Sequence, residues 1–408
     1  MLLLAACTSE SGGAPVASGT VPAPSTTVHA DDGTLLVGAV LPASGSAADL
    51  GTSMSDAITV SLSEINARGG FNGRKVRVIT REEGDNPATA QLAVQDLVQA
   101  GVDAIIGPTS SANTLGTLRS AVNAGILTCS PTASALALDE FPDNGMFFRT
   151  IPSDSLEATA LASVVEASGS STAMVVYIDD AYGRPFAAAA EAAITAEGTK
   201  VSQLIGFTTN EGSIAATVAA VLTNKPDVIA VIADGTTGPT IINAIDQAVG
   251  ARLTYVVNDA VRRPASSAQP FSAALARRVV GVSPLAYASS PQFNQALAKV
   301  DPTATGLYAQ NAYDCLNIIA LAANAAGSDQ PVDIAAEVMA VTTSGTGCTS
   351  FTSCSVALAE GRNINYNGPS GNLSIDSDGD VSSATFERFT FDATGRDIGD
   401  GTIIIGSG

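Results

Sequence analysis

In the first third of the chain, short apolar runs typical of strands alternate with segments whose apolar residues recur at helical spacing. Three short runs rich in β-branched residues predict buried strands, at Leu35–Leu41, Lys75–Thr80 and Asp103–Ile106. Between the first two runs, apolar residues recur at helical spacing, at Met54, Ile58, Leu62 and Ile65. Gly69 and Gly70 end that helix, and Asn86 and Pro87 supply a cap and a first-turn proline for the next. Alternating strands and helices predict a parallel sheet with helices on both faces.

The same alternation returns further along the chain. Its strands are predicted at Ala173–Ile178, Asp227–Ile232 and Leu253–Val257. The predicted fold class is therefore α/β, with two doubly wound parallel-sheet lobes. Later segments predict helices at Gly306–Ala326 and Asp333–Val341. In the tail, Ala384, Phe386 and Arg388 alternate along the chain with Glu387, Phe389 and Phe391, a pattern that predicts strand structure. Ile403–Ile405 predicts a later strand.

Composition narrows the class of partner. The chain has 408 residues, of which 46% are hydrophobic, so two cores are the natural expectation. Only 14% of the residues are charged, yet the formal net charge is −20. That balance argues against binding to nucleic acid or to anionic lipid, because both need Lys and Arg. The simplest role of the excess charge is solubility.

The amino-terminus predicts export and lipid anchoring. The letters LLLAAC at Leu2–Cys7 match the end of an apolar signal-peptide region followed by a lipidated cysteine. Thr8–Asp32 is a tether of Ser, Gly, Ala, Pro and Thr with too little apolar bulk to fold. No later apolar run reaches the roughly 18 residues that a membrane span needs.

The remaining four cysteines receive different expectations. Cys348 and Cys354 flank a short polar loop in an exported chain, which predicts a local disulfide. Cys129 follows a buried strand and Cys315 lies on an apolar helical face. Buried free thiols are the favoured interpretation of that pair, and a bridge between them stays open.

Catalytic and metal-site motifs are absent or poor. The sole histidine, His29, falls in the tether, and no nucleophile elbow, P-loop or zinc motif occurs. One acidic stretch has calcium-loop spacing, with Asp376, Asp378, Asp380 and Glu387 at positions 1, 3, 5 and 12. Val381 replaces the glycine of position 6, so an exposed turn is the better interpretation. We expect no enzyme, no metal site and no cofactor.

Hydroxyl side chains follow two neighbouring strands of the first predicted sheet. Thr109, Ser110 and Ser111 come just after Ile106, ahead of a new helix. Ligands of open α/β sheets lie at the carboxyl ends of the strands, and helix amino-termini offer free N–H groups to anions. Thr132 and Ser134 follow the next strand. These positions suit the carboxylate of a free amino acid.

Several segments in order carry a family resemblance, namely VGAVLPASGSAADLG, INARGGFNGRKV, GPTSSAN, TCSPTASALAL, FFRTIPSD, IDDAYGRPF, KPDVIAVIADG and YNGPSGNLSIDSDGDV. Together they resemble the leucine/isoleucine/valine-type solute-binding proteins of ABC importers, which have the type I periplasmic-binding fold. The resemblance covers nearly everything after residue 33. It implies a three-strand hinge, with crossings at Pro152–Asp154, Ser283–Tyr287 and Pro369–Asn372. Lobe I would then be 33–152 plus 283–368, and lobe II 153–282 plus 369–408.

The resemblance also implies a ligand set. Ser111 and Ser134 would hold a ligand carboxylate beside Ala133, and the Thr132 carbonyl would receive an ammonium. Asp154 occupies the family's hinge aspartate, Tyr182 would cover the ligand, and Asp259 would pair with its ammonium. Two positions depart from the family pattern, at Leu50, where relatives often have an aromatic residue, and around Thr236, where an aromatic hydroxyl is missing. The ligand could therefore be another amino acid, an amide, urea or an aromatic acid.

The function that follows is capture of a small polar ligand outside the cytoplasm. The resemblance implies a monomer, anchored by lipidated Cys7, that closes its lobes and delivers the ligand to an ABC permease. A sensor of the same fold acting on a signalling partner is the first alternative. A hydrolytic enzyme is a distant one.

Overall fold

The computed structural model describes residues 31–262, 271–285, 290–303, 306–392 and 397–406. Its first sheet has the strand order β2-β1-β3-β4-β5, and every pair in it is parallel. The strands are β1 Leu36–Leu41, β2 Arg77–Glu82, β3 Ala104–Ile106, β4 Leu127–Ser130 and β5 Phe147–Arg149. The helices beside it are α1 Ala48–Ala67, α2 Pro87–Gln99 and α3 Ser111–Asn123, joined later in the chain by α9 Pro291–Val300, α10 Ala309–Ala326, α11 Pro331–Thr343 and α12 Phe351–Ala359. A small parallel pair, β11 Thr346–Cys348 and β12 Ile364–Tyr366, lies on this lobe.

The second sheet has the order β14-β13-β10-β9-β8-β6-β7. Its strands are β6 Thr172–Ile178, β7 Lys200–Phe207, β8 Val228–Ile232, β9 Thr254–Val257, β10 Val279–Pro284, β13 Ala384–Phe391 and β14 Asp397–Ile405. Its helices are α4 Asp154–Ala167, α5 Gly183–Ala196, α6 Glu211–Asn224, α7 Thr237–Val249 and the single turn α8 Ala273–Ala276. The predicted α/β class with two lobes is confirmed.

Local signals in the sequence account for these elements. Asn86 caps α2, accepting a hydrogen bond from the Thr89 N–H at 3.1 Å, with Pro87 at the first helical position. α10 is buried along almost its whole length, because α1 and α11 cover it. The long apolar helix predicted there is therefore a core element of the first lobe.

The carboxyl-terminal strands make the second sheet mixed. β13 pairs antiparallel with both β10 and β14. The predicted alternation along β13 is confirmed, since Ala384 and Phe386 enter one core cluster and Phe389 and Phe391 enter another. β14 directly follows β13 along the chain, and neighbouring strands joined by a short loop run antiparallel. β13 itself returns from the first lobe, so no crossover helix of the second lobe sets its direction.

Two disulfides are present. Cys348 and Cys354 are bridged, as their spacing predicts. Cys129 in β4 and Cys315 in α10 are also bridged, across a sequence separation of 186 residues. The expectation of free thiols at Cys129 and Cys315 is therefore wrong. Packing of α10 against the first sheet brings their Cα atoms to 5.8 Å, a proximity that no local pattern encodes.

We propose a revised division into lobes. The chain leaves the first sheet after Arg149 and enters the second lobe with α4. Leu373, Ile375 and Val381 pack in the core of the first lobe, whereas Ala384 belongs to the second. The proposed last boundary therefore moves from Pro369–Asn372 to residues 382–383, because the intervening turn buries its apolar side chains against the first sheet. Part of the second crossing, including Tyr287, lies outside the described residues.

Candidate ligand-binding cleft

An acidic cluster lies where the two lobes meet. It consists of Asp154 and Glu157 in the first turn of α4, and Asp259 just after β9. Two tyrosines accompany it, Tyr182 before α5 and Tyr308 before α10. The carboxyl ends of parallel strands and the starts of the following helices converge here, as in other open α/β sheets.

Asp259 connects the two lobes. Its Oδ2 accepts a hydrogen bond of 2.7 Å from the hydroxyl of Tyr308, which packs against the first core. Its backbone N–H donates to Glu157 Oε1 at 2.7 Å. Burial raises the pKa of Asp259, and the Tyr308 hydroxyl acts against that rise. Tyr308 has a left-handed φ of 55°, an unfavourable conformation for a tyrosine that points to a role for its hydroxyl.

Glu157 was not foreseen from the sequence. It is 2% exposed, and burial raises its pKa well above the usual range, with the charges of Asp259 and Asp154 adding to the rise. Burial and the two neighbouring carboxylates thus favour the protonated form of Glu157. The only available signal was a glutamate among the apolar residues of α4.

Asp154 is fully buried, and neither of its carboxylate oxygens has a hydrogen-bond partner. Burial raises its pKa to about 7, and the nearby charge of Asp259 adds to the rise. The Ser134 hydroxyl and the Arg149 guanidinium lie close enough to oppose it. An unpaired buried carboxylate is costly, so this position is either protonated or in need of a cation.

Replacing Asp154 with asparagine is expected to stabilise the ligand-free protein much more at pH 8 than at pH 5. The folded protein holds this proton up to about pH 7, whereas an unfolded aspartate loses it near 3.8. The stability linked to the proton is present below pH 4 and is lost as the pH rises through 7. The expected gain at pH 8 is about 2–4 kcal/mol. Urea unfolding at both pH values measures it.

Glu166→Gln, an exposed change near the end of the same helix, is the control and should alter neither value by more than about 0.5 kcal/mol. Burial also raises the pKa values of Asp103, Asp143 and Asp314, but their contributions cancel when the variant is compared with the parent. An equal effect of Asp154→Asn at both pH values would contradict the raised pKa.

The hydroxyl-bearing loops that follow β3 and β4 lie next to the acidic cluster. Ser111 Oγ accepts from the Ala135 N–H at 3.2 Å, and the Ser134 carbonyl accepts from the Asp154 N–H at 2.9 Å. Thr132 donates its hydroxyl proton to the Thr109 carbonyl at 2.7 Å. The structure thus brings Ser111, Ser134 and Asp154 into one connected group.

Ala133 is held inside the lobe. Its N–H donates to Ser130 Oγ at 3.1 Å, and its carbonyl accepts from Arg149 Nη1 at 3.2 Å. Both backbone groups of Ala133 are thus engaged, which leaves it a structural neighbour of Ser134.

The amino-terminus of α3 is already occupied by a side chain of the protein. Glu83, which is 1% exposed, accepts from the N–H groups of Thr109 at 2.9 Å and Ser110 at 3.0 Å. The Asn113 side chain donates to it at 2.8 Å. The expectation that the Thr109 and Ser110 N–H groups are free for a ligand is therefore wrong. The sequence signal was the glutamate that directly follows β2.

Three further predicted residues lie at different points around this region. Tyr182 accepts from Asn258 Nδ2 at 3.0 Å and packs edge-on against Phe186. Leu50, on α1, is half-buried against the first core. Thr236 is exposed before α7, and its N–H donates to Asp234 Oδ1 at 2.6 Å.

The acidic stretch of calcium-loop spacing has a structural role. Asp380 accepts from the fully buried Arg149 at 2.6 Å, and Asp376 Oδ1 accepts from the N–H groups of Asp378 and Asp380. Glu387 pairs with Arg262 at 2.7 Å. Two of the four counted carboxylates are thus committed to arginines. The turn is only partly exposed, because Asp380 reaches into the core.

Comparison with known proteins identifies the family. The model of a family described as periplasmic binding protein matches residues 34–378. The chain belongs to this family. Solved structures with the same fold include LivJ of Streptococcus pneumoniae, in complex with isoleucine, at a TM-score of 0.71 and 19% identity. That alignment covers 92% of this chain and all of LivJ. The resemblance to Leu/Ile/Val-type solute-binding proteins, and their type I fold, are confirmed.

Other relatives differ in what they are described as doing. A solute-binding protein of R. palustris, solved with 4-hydroxybenzoate, has a TM-score of 0.74 and 17% identity, covering 92% of this chain and 98% of its own. A chemotactic signal transduction system substrate-binding protein of Halobacterium salinarum is 28% identical over 354 residues, which is 83% of each chain. The family works outside the cytoplasm and binds small molecules. Among the described residues, no helix combines the length and apolarity of a membrane span.

Proposed function

We propose that this periplasmic binding protein captures a small amine-bearing ligand between its lobes and delivers it to an ABC permease. The observation that carries the proposal is the Asp259–Tyr308 hydrogen bond, which joins the lobes through an acidic cluster. A ligand ammonium held at Asp259 beside the Tyr308 hydroxyl would touch both lobes and so couple binding to lobe closure. Ser111 and Ser134, which lie beside Asp154, would hold a carboxylate or carbonyl of the ligand.

The geometry contains binding groups and lacks the parts of a hydrolytic site. Within the described residues there is no histidine, and each disulfide removes two thiols from nucleophilic chemistry. The buried acids share one region, but no activated nucleophile stands beside them. A non-enzymatic binding role therefore fits best.

Asp259→Ala is expected to weaken ligand binding by about 10- to 100-fold. A hydrogen bond to a charged group contributes about 1.5–3 kcal/mol, and about 1.4 kcal/mol corresponds to a tenfold change in affinity. A thermal-shift screen of amino acids, amides, amines and aromatic acids finds the ligand, and calorimetric titration of parent and variant measures the loss.

Glu166→Gln serves again as the control, because it lies outside the cleft and should keep full affinity. Ser111→Ala should cost less than Asp259→Ala, since the backbone N–H of that residue remains. Unchanged affinity in Asp259→Ala would place the amine elsewhere. No stabilisation by any compound of the screen would remove the support for small-molecule capture.

Sensing is the second candidate, because the relative from Halobacterium salinarum is described as part of a chemotactic system. Both roles use the same capture step and differ in the partner that recognises the closed form. Crosslinking of the ligand-loaded protein to a permease or to a chemoreceptor separates them. The proposed lipid anchor at Cys7 lies outside the described residues, and palmitate labelling that is lost in Cys7→Ala would support it.

A further inference from the structure

The donor groups that the fold directs at an anionic ligand are largely used by the chain itself. At α3, Glu83 occupies the N–H groups of Thr109 and Ser110. Asp180 Oδ1 accepts from the N–H groups of Tyr182 at 3.0 Å and Gly183 at 2.7 Å, at the start of α5. An internal carboxylate thus already accepts two of the backbone N–H groups at each of these helix starts.

α7 repeats the arrangement. Asp234 Oδ1 accepts from the N–H groups of Thr236 at 2.6 Å and Thr237 at 2.7 Å. Three helices that begin at the carboxyl ends of β3, β6 and β8 are therefore capped in the same way. A ligand anion could use these particular N–H groups only by displacing the carboxylate that accepts them.

The two arginines whose charges reach the acidic cluster do not neutralise it. The charge of Arg149 lowers the pKa of Asp154, but the guanidinium is ion-paired with Asp139 and Asp380. The charge of Arg262 lowers the pKa of Asp259, but the guanidinium is ion-paired with Glu387 and Asp397. Each arginine thus holds two other carboxylates, and each of these ionic groups carries net negative charge.

Asp154 supplies the independent observation. Its side chain is fully buried, and both oxygens lack a hydrogen-bond partner. It lies near Asp259 and Glu157. The negative charges of all three carboxylates raise the pKa of the Tyr182 hydroxyl. A zwitterionic amino acid brings no net charge, so its single ammonium would satisfy Asp259 and leave Asp154 unpaired.

We propose that the ligand is a net cation with two protonated amino groups, either a basic amino acid or a diamine, with one ammonium at Asp259 and the second at Asp154. The inference rests on the proposed function and narrows its ligand class. The oxygens of Asp154 are shielded from solvent in the described arrangement, so the ligand would reach them only while the lobes are apart. Ser111 remains available for the single carboxylate of a basic amino acid.

The test compares ligands that differ by one ammonium. L-lysine and L-norleucine share one carbon chain, and lysine adds the terminal amine. Cadaverine and pentylamine repeat the comparison without a carboxylate. In calorimetric titrations of the full chain at pH 7.5, we expect the two-amine member of at least one pair to bind at least about 10-fold more tightly. Benzoate should not bind.

The variant Asp154→Asn tests whether Asp154 is responsible for the preference for the two-amine compound. The variant should lose most of the preference for the two-amine compound and keep the weaker affinity for its one-amine partner. Glu166→Gln should keep the full preference. Equal affinity within both pairs, or a preference that survives in Asp154→Asn, overturns this inference while leaving amine capture intact. Failure of all the compounds, including other amino acids and amides, counts against the proposed function itself.

Discussion

Arg149→Met is expected to destabilise the ligand-free protein by about 3–5 kcal/mol, because it leaves two carboxylates without their cation. Arg149 is fully buried, and its guanidinium binds Asp380 through two nitrogens, at 2.6 and 2.9 Å. The same group pairs with Asp139 and donates to the carbonyls of Ala133 and Ala135 at 3.2 Å. Urea unfolding of parent and variant measures the loss.

Two further variants test whether the unpaired carboxylates cause the loss of stability. Arg362→Met breaks an exposed pair with Glu360 and should cost no more than about 1 kcal/mol. Adding Asp139→Asn and Asp380→Asn to Arg149→Met should recover part of the stability, since the buried negative charge is then gone. A triple variant as unstable as Arg149→Met alone would assign the loss to packing instead.

Arg149 also connects the core to the cleft. Its two carbonyl partners stand on either side of Ser134, one of the proposed ligand contacts. Asp139 in turn accepts from the hydroxyl of Ser153, which caps the helix that carries Asp154 and Glu157. A single buried cation thus orients the hydroxyl side and the acidic side of the site.

Cys129→Ala combined with Cys315→Ala is expected to cost about 3–5 kcal/mol of stability. The bridge closes a loop of 186 residues, so its loss frees much chain entropy in the unfolded state. Both cysteines are fully buried, and the alanines also leave small cavities in the first core. Denaturant unfolding of the oxidised parent and the double variant measures the difference.

The local disulfide is the matched control. Cys348→Ala with Cys354→Ala opens a separation of only six residues and should cost about 2 kcal/mol by the same entropy argument. A larger loss at the local bridge than at the long one would contradict the loop-length explanation. Labelling of free thiols in the native parent should find none of these four cysteines reactive.

Local periodicity was sufficient for most of the architecture. The β-branched runs became β1, β3, β6, β8 and β9, and the amphipathic stretch after β1 became α1. The alternation along β13 predicted that Phe386 lies on the opposite face from Phe389 and Phe391, because successive strand residues point to opposite faces. β5, with three residues, lacked a pattern long enough to detect, and β10 was not predicted. The antiparallel direction of β13 depends on its partners.

The sequence also determined the cap of α2, the Cys348–Cys354 bridge and the position of the hydroxyl groups after β3 and β4, since each depends on neighbours within a few residues. Only the tertiary structure decided which distant groups meet. Glu83 occupies the start of α3, Glu157 and Tyr308 join Asp259, and Cys129 reaches Cys315. These contacts are set by how packed helices and sheets bring remote positions together, and burial then changes their charge. The ionisation that shapes this cleft is therefore a property of the fold, which no short stretch of sequence contains.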